Sequence, residues 1–199
     1  MKQIMLNVPD DVAQDFGEKV KGLLSEFDIE ADNDGVLDCL LPITERVKTF
    51  EDACKVLGAR AERGDDDAGT MLADYESNAE NIKTSGIVAF MKLCIITAAL
   101  NEGWKPKFTD DEYRWFPWFR YYTKEEIEEM TEEKKQKLGL VGADANNGSA
   151  AGLGCVSSSN AWSYPDASSG SRLAYKSEAL ADYSGKQFKD IWVDYVGKF

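Results

Sequence analysis

The sequence predicts an α+β fold, in which a buried central helix and flanking helices pack on a small antiparallel sheet. Residues 87–100 are apolar on almost every face of a helix, which is typical of a helix enclosed by the rest of a protein. Residues 113–122 are dense in Trp, Phe and Tyr, which favour strands. Another apolar helical face begins after Ser177, so we expect a C-terminal helix to close the sheet.

The composition is that of an ordinary globular protein. The chain has 199 residues, of which 43% are hydrophobic and 30% are charged, and this suffices for one main core. We divide it into an N-terminal strand and helices at 1–58, an exposed acidic linker at 59–82 and a main α+β core at 83–199. Residues 124–169 are expected to form a mobile insertion in that core, and one single domain overall is the alternative division.

The N-terminal segment begins with a strand and a helix. Residues 3–8 alternate loosely between apolar and polar side chains, which indicates a strand. Pro9 and two aspartates then lead into a helical pattern over residues 12–24.

An acidic turn follows at residues 28–38 and resembles part of a calcium-binding loop. Gly35 lies at the position where such a loop turns sharply. The early ligands would be Glu30, Asp32 and Asp34. Leu41, however, occupies the position of the bidentate glutamate that completes a calcium shell. We therefore expect a solvated loop and no metal site.

A short helix is predicted after Thr49, which forms a capping box with Asp52. Gly58 is expected to end this helix. Residues 60–69 include three consecutive aspartates and are predicted to be an exposed, mobile loop.

Nine of the chain's 22 aromatic residues lie in residues 104–122, and they mark either the core or a binding face. Pro117 would restrict a strand here to an edge or a bulge. Side chains alternate along a strand, so Trp115, Phe119 and Tyr121 would share one face. The opposite face would carry Phe116, Trp118 and Arg120. We expect helices to bury the first face, and the candidate binding residues are Phe116, Trp118, Arg120, Trp162 and Arg172.

The C-terminal third is predicted as alternating loops and short elements. Residues 123–137 form a capped, mostly polar helix, and residues 140–171 form loops around one or two short strands near Trp162. Residues 171–176 fit a last strand, and Ser177 caps the terminal helix.

The residue inventory restricts the possible chemistry. The chain has no histidine, which removes Ser-His and Cys-His nucleophiles and the commonest transition-metal ligand. Its four cysteines are widely spaced, which disfavours a zinc site or a catalytic dithiol. The glycine-rich residues 148–154 lack the Gly-Lys-Ser/Thr ending of a phosphate-binding loop. Paired carboxylates leave an enzyme open, but a non-enzymatic protein without a cofactor is favoured.

The net charge of −13 and the isoelectric point near 4.5 indicate the kind of partner. Binding to duplex DNA depends on cationic side chains, so such a partner is disfavoured and a basic protein surface suits the chain better. The acidity would also serve solubility alone. No apolar stretch near Met1 has the length of a signal peptide, and residues 87–100 are too short to span a bilayer, so we expect a cytoplasmic protein with no membrane partner.

Three segments carry a resemblance to a known group of proteins. They are residues 49–58, 98–118 and 170–195, which together make up 57 of the chain's 199 residues. Their recurring features are the Asn-Glu-Gly-Trp turn at residues 101–104, the Phe-Pro-Trp-Phe run at 116–119, and the Ser-Arg-Leu strand with a capped helix at 171–188. In these features the chain resembles uncharacterised proteins encoded by phages and prophages of gut Bacteroidetes. The resemblance implies no activity, and residues 124–169 depart from the pattern.

The leading functional expectation is an acidic, phage-encoded interaction protein that binds a basic host or phage protein. It would act as a defence inhibitor or as a nucleic-acid mimic in the cytoplasm of a bacterial host. A virion or assembly component is one alternative. Binding of single-stranded nucleic acid or a glycan through the aromatic face is another, since ring faces stack on bases and on sugars. The oligomeric state is left open.

Overall fold

A computed structural model describes residues 15–16, 18–20, 22, 41–107, 112–138, 141–142, 150–162 and 171–197. The chain divides into two compact units, residues 1–46 and 47–199. In the first unit the described residues before residue 23 are helical, as the pattern over 12–24 predicts. This unit also contains α1 (Ile43–Arg46). The predicted strand at 3–8 and the acidic loop with Glu30, Asp32 and Asp34 lie outside the described residues.

The second unit begins with α2 (Phe50–Glu62), which has the predicted capping box. The Thr49 hydroxyl accepts a hydrogen bond from the Asp52 amide at 3.1 Å, and the Asp52 carboxylate accepts one from the Thr49 amide at 3.0 Å. The prediction that Gly58 ends this helix is wrong. The chain leaves the helix only at Gly64, whose φ of 94° lies in the left-handed region that glycine tolerates.

Residues 59–82 do not form the predicted linker, because most of them belong to α2 and to α3 (Asp66–Asn78). The run of aspartates starts α3 instead of interrupting it. The Asp65 side chain accepts a hydrogen bond from the Ala68 amide at 3.2 Å, and the next two aspartates occupy the first turn, where negative charge stabilises the helix dipole. Arg60 of α2 pairs with Asp65 and donates a hydrogen bond to the Ala98 carbonyl at 2.8 Å. These contacts connect the turn between α2 and α3 to the helix that contains Ala98.

The predicted central helix is α4 (Ser85–Leu100). Its C-terminal half is enclosed, with Leu93, Ile95, Ile96 and Leu100 completely buried. Its N-terminal turns are more open, and the Ile87 side chain is 51% exposed. The helix ends at a turn in which Glu102 and Gly103 both have positive φ, 50° and 93°.

Three antiparallel strands follow, β1 (Tyr113–Thr123), β2 (Val141–Gly142) and β3 (Ala150–Trp162), in the sheet order β1-β3-β2. β1 is the predicted aromatic strand. Between the strands lie α5 (Lys124–Glu128) and α6 (Glu132–Leu138). The described part of residues 124–169 is therefore an integral part of the fold, and it supplies the middle strand of the sheet.

β3 is much longer than the short strands predicted around Trp162. Its Gly-, Ala- and Ser-rich sequence has little intrinsic preference for a strand. It pairs along the whole of β1, from Tyr113 opposite Trp162 to Thr123 opposite Ala150, with register shifts after Trp118 and after Tyr122. The need to pair the backbone of β1 thus outweighs the local composition.

The predicted last strand at 171–176 is also wrong. It is a 3-10 turn (Ser171–Leu173) followed by a single bridge, in which Tyr175 exchanges two hydrogen bonds with Trp115 at 2.8 and 3.1 Å. Backbone N–H groups two residues apart point to the same side of a strand. Pro117 therefore presents no donor on that side, which ends the pairing after one bridge.

The terminal helix is divided in two, α7 (Glu178–Gln187) and α8 (Lys189–Gly197). Ser177 caps α7, as predicted, through a hydrogen bond from the Leu180 amide at 3.4 Å. α8 packs on α4 and the sheet, where Trp192 is buried. Helices and strands thus share one unit, which agrees with the α+β class. None of the described helices combines the length and apolarity that crossing a bilayer would require.

Candidate binding face and cleft

The two faces of β1 have different surroundings. On one face the Phe119 ring lies 5.3 Å from the Trp192 ring, and the Tyr121 hydroxyl donates to the Val196 carbonyl at 2.5 Å, so α8 covers this side. On the other face Phe116 is half-buried, Trp118 is 59% exposed and Arg120 is exposed. We call Phe116, Trp118 and Arg120 the aromatic face. The extra residues at the register shifts lie in β3, so the alternation of β1 continues across Pro117.

Both ends of the aromatic face are closed. Arg114 and Tyr122 are each only 4% exposed. Tyr122 and Leu138 of α6 both approach Gly154 of β3, which is opposite Arg120. A Cβ atom on Gly154 would lie 3.2 Å from both the Tyr122 ring and the Leu138 Cβ. The open surface is therefore confined to the middle of β1.

Carboxylates border the aromatic face on the side of α5. Arg120 stacks on Tyr122, with the guanidinium carbon 4.9 Å from the ring centre, and donates to Glu126 at 2.6 Å. Glu126 also completes a capping box with Thr123. Hydrogen bonds from its own amide and from the Thr123 hydroxyl lower the pKa of Glu125, so this exposed carboxyl is ionised at neutral pH. Four glutamates and one lysine occupy residues 124–129, which makes this border acidic.

The structure brings together only part of the predicted site. Phe116, Trp118 and Arg120 are neighbours on one face. The backbone of Trp162 pairs with Tyr113 at the far end of β1, and its side chain lies outside the described residues. Arg172 lies elsewhere, at the edge of a cleft.

This cleft has a volume of about 590 Å³ and lies between α3, α4 and residues 104–106. Its apolar lining consists of Ala68, Met71, Phe90, Met91, Cys94, Ala98, Trp104 and Pro106. Burial raises the pKa of Cys94 to about 11, so this thiol is protonated at neutral pH and behaves as an apolar side chain. Two polar side chains at the base are already bonded, since Thr97 donates to the Tyr175 hydroxyl at 2.9 Å and Asn101 to the Ala174 carbonyl at 2.8 Å.

The charged lining of the cleft is arranged on two sides. α3 contributes Asp67 and Asp74, whose spacing of seven residues puts them on one side of the helix. Arg60, Lys105 and Arg172 come from other segments, and Arg60 pairs with Asp65. Lys105 pairs with Asp67, and this contact raises the pKa of Lys105. Asp74 and Arg172 make no ion pair with any residue that the structure describes.

The turn at residues 101–104 and residues 174–176 meet at the base of the cleft. Asn101 bonds to both the Ala174 carbonyl and the Lys176 amide, the latter at 3.0 Å. Glu102 pairs with the Lys176 side chain at 3.0 Å. The turn at 101–104 therefore fixes residues 174–176, which follow Arg172, and the same turn places Trp104 in the lining.

Sequence reasoning did not find this cleft. It singled out Arg172, but it treated α3 as part of a linker, which removed one entire wall. The available signal was the spacing of Asp67, Thr70, Met71 and Asp74 on one side of a helix capped by Asp65.

Neither metal chemistry nor known relatives supply a further assignment. Among the residues that the structure describes, no group of three His, Cys, Asp or Glu side chains could hold a metal ion. Comparison of the chain with protein-family models, curated proteins and solved structures finds no match.

Proposed function

We propose that the chain is a non-enzymatic, phage-encoded interaction protein that docks on a basic protein through its aromatic face. The observation that carries this proposal is the 59% exposure of Trp118 in the middle of a paired strand. A large exposed indole beside a half-buried Phe116 offers apolar area that a partner can bury. Tryptophan and arginine are the residue types most enriched at the energetic centres of protein interfaces.

The charges around this face suit a basic partner. Arg120 is already neutralised by Glu126, and the other carboxylates of residues 124–129 add negative charge beside it. The whole chain has a net charge of −13. Complementary charge of this kind accelerates association and makes it sensitive to salt.

The two thiols that the structure describes, out of four in the chain, support a non-enzymatic function. Burial raises the pKa of both Cys54 and Cys94, so neither thiol is an activated nucleophile at neutral pH. The chain also lacks histidine, the commonest general base.

A glycan ligand is a second candidate, because the open ring of Trp118 could stack on a sugar. A single-stranded nucleic acid would stack equally well, but its phosphates would meet the carboxylates of α5. A virion or assembly component would use the same face to contact other copies or other virion proteins.

The test is affinity capture from host cells and from phage-infected cells with three immobilised proteins. They are the wild type, Trp118→Ala, and a control variant, Ile87→Ala, that removes a comparably exposed apolar side chain from α4. We expect the wild type and the control to retain the same basic protein, and Trp118→Ala to lose it. Raising the salt concentration should release the partner.

The proposal fails if every captured protein is retained equally by Trp118→Ala, or if capture does not depend on salt. Retention of glycans by the wild type, abolished by Trp118→Ala, would favour the second candidate. Recovery in phage particles at many copies would favour the virion alternative.

A further inference from the structure

The cleft beside α4 has both paired and unpaired charges in its lining. Arg60 pairs with Asp65, and Lys105 pairs with Asp67. Asp74 lies seven residues further along α3, which corresponds to about 10 Å along the helix axis. Neither Asp74 nor Arg172 makes an ion pair within the described part of the chain. A ligand in the cleft would therefore meet one carboxylate and one guanidinium that have no ion-pair partner among the described residues.

The surface available to a ligand between these charges is apolar. Phe90 and Met91 are half-buried side chains of α4, and Cys94 is protonated and buried. The polar groups of Thr97 and Asn101 are already bonded to the segment behind them. A ligand that fits here therefore needs an apolar centre with opposite charges around it.

We propose that this cleft binds a short linear peptide segment of a partner protein, in which an acidic and a basic side chain flank an apolar one. The acidic side chain would pair with Arg172 and the basic one with Asp74, and the apolar one would lie on Phe90 and Met91. This site is distinct from the aromatic face and does not depend on the function proposed for it.

Charge complementarity favours this occupant over others. A nucleotide or another polyanion would find Arg60 and Lys105 already paired with Asp65 and Asp67, and Asp74 would repel it. A purely apolar ligand would leave Arg172 and Asp74 without partners while it displaced their water. The cleft is partly open to solvent, which suits a chain segment that stays partly hydrated.

The experiment selects a display library of random short peptides against the full chain and its charge-reversed variants. The variants are Arg172→Glu and Asp74→Lys. Each has a matched control that lies outside the cleft: Lys55→Glu, 80% exposed on α2, and Glu76→Lys on α3, exposed like Asp74. Trp118→Ala is included to separate this site from the aromatic face. Thermal unfolding of each variant checks that it is folded.

We expect the wild type to enrich peptides with an acidic and a basic residue around an apolar one. Arg172→Glu should bind these peptides roughly tenfold more weakly, as reversal of one interfacial charge predicts, and should select peptides with a second basic residue instead. Asp74→Lys should instead select peptides with a second acidic residue. Both controls and Trp118→Ala should bind like the wild type.

The proposal is overturned if no peptide class is enriched by the folded wild type. It is equally overturned if the enriched peptides bind folded Arg172→Glu and Asp74→Lys as tightly as they bind the wild type. Loss of binding in Trp118→Ala alone would assign the peptides to the aromatic face and not to the cleft.

Discussion

The two faces of β1 carry similar residues but have opposite surroundings. Phe119 lies against the buried Trp192, whereas its neighbour Trp118 is 59% exposed. Consecutive side chains of a strand point to opposite faces, so a single position separates a half-buried ring under α8 from a candidate contact residue. Aromatic density in a sequence thus locates a strand, while the packing of α8 decides which of its rings form core and which remain available.

The sharpest test of this contrast compares two tryptophans. Trp192→Ala removes a ring that is 4% exposed and contacts Phe119, so we expect a loss of about 3–5 kcal/mol in the free energy of unfolding. Trp118→Ala should change this free energy by no more than about 0.5 kcal/mol, because its ring is already in solvent. Urea unfolding followed by circular dichroism measures both. Similar losses in the two variants would show that the outer face is also covered.

A second test concerns the edge of β1, where Tyr175 bridges to Trp115. The Tyr175 hydroxyl is completely buried, accepts a hydrogen bond from Thr97 and lies 2.6 Å from the Ser184 hydroxyl. Tyr175→Phe removes the acceptor of the Thr97 hydroxyl and leaves Ser184 with only the hydrogen bond from the Trp192 indole, so we expect a loss of about 1–3 kcal/mol in the free energy of unfolding.

Tyr175 should also make the free energy of unfolding fall at high pH. Burial raises the pKa of Tyr175 from 10.0 to about 12, so the folded state favours the neutral phenol. Its contribution to stability is complete below pH 10 and is lost as the pH rises towards 12. Unfolding titrations should show this loss in the wild type and a smaller one in Tyr175→Phe. An equal alkaline loss in both proteins would place the titrating group elsewhere.

The smallest expected effects come from adjacent polar contacts on the two faces. Tyr121→Phe removes a hydrogen bond to the Val196 carbonyl at the end of α8, and because Tyr121 is 38% exposed we expect a loss of about 0.5–1 kcal/mol. Arg120→Gln removes an exposed ion pair with Glu126 and should cost less than about 0.5 kcal/mol. Chemical denaturation measures the loss of unfolding free energy in both variants. A larger loss for Arg120→Gln than for Tyr121→Phe would contradict the assignment of the open face.

Strong local patterns were sufficient to predict several elements. The capping box of α2, the apolar sequence of α4 and the alternation along β1 each depend on neighbouring residues. The period of two also placed Trp118 and Phe119 on opposite faces.

Elements that depend on distant partners were not predicted. β3 forms because β1 presents unpaired backbone groups, and its Gly- and Ser-rich sequence gives little local signal. The bridge at Tyr175 depends on Trp115, sixty residues earlier, and on the missing donor of Pro117. The cleft unites Asp74, Phe90 and Arg172, which no local pattern connects, and its α3 wall was obscured because a run of aspartates suggested a loop.

The hydrogen bonds of Asn101 also bear on how much extra length the chain tolerates. They join residues 73 and 75 positions apart, so the chain returns to nearly the same point after the intervening elements. The entropy of closing such a loop grows only with the logarithm of its length, and a doubling costs about 0.6 kcal/mol. Segments added between β1 and Ser171 therefore cost little folding free energy, provided that β3 keeps its pairing with β1. The hydrogen bonds of Asn101 thus permit wide variation in the length of the chain between residues 101 and 174.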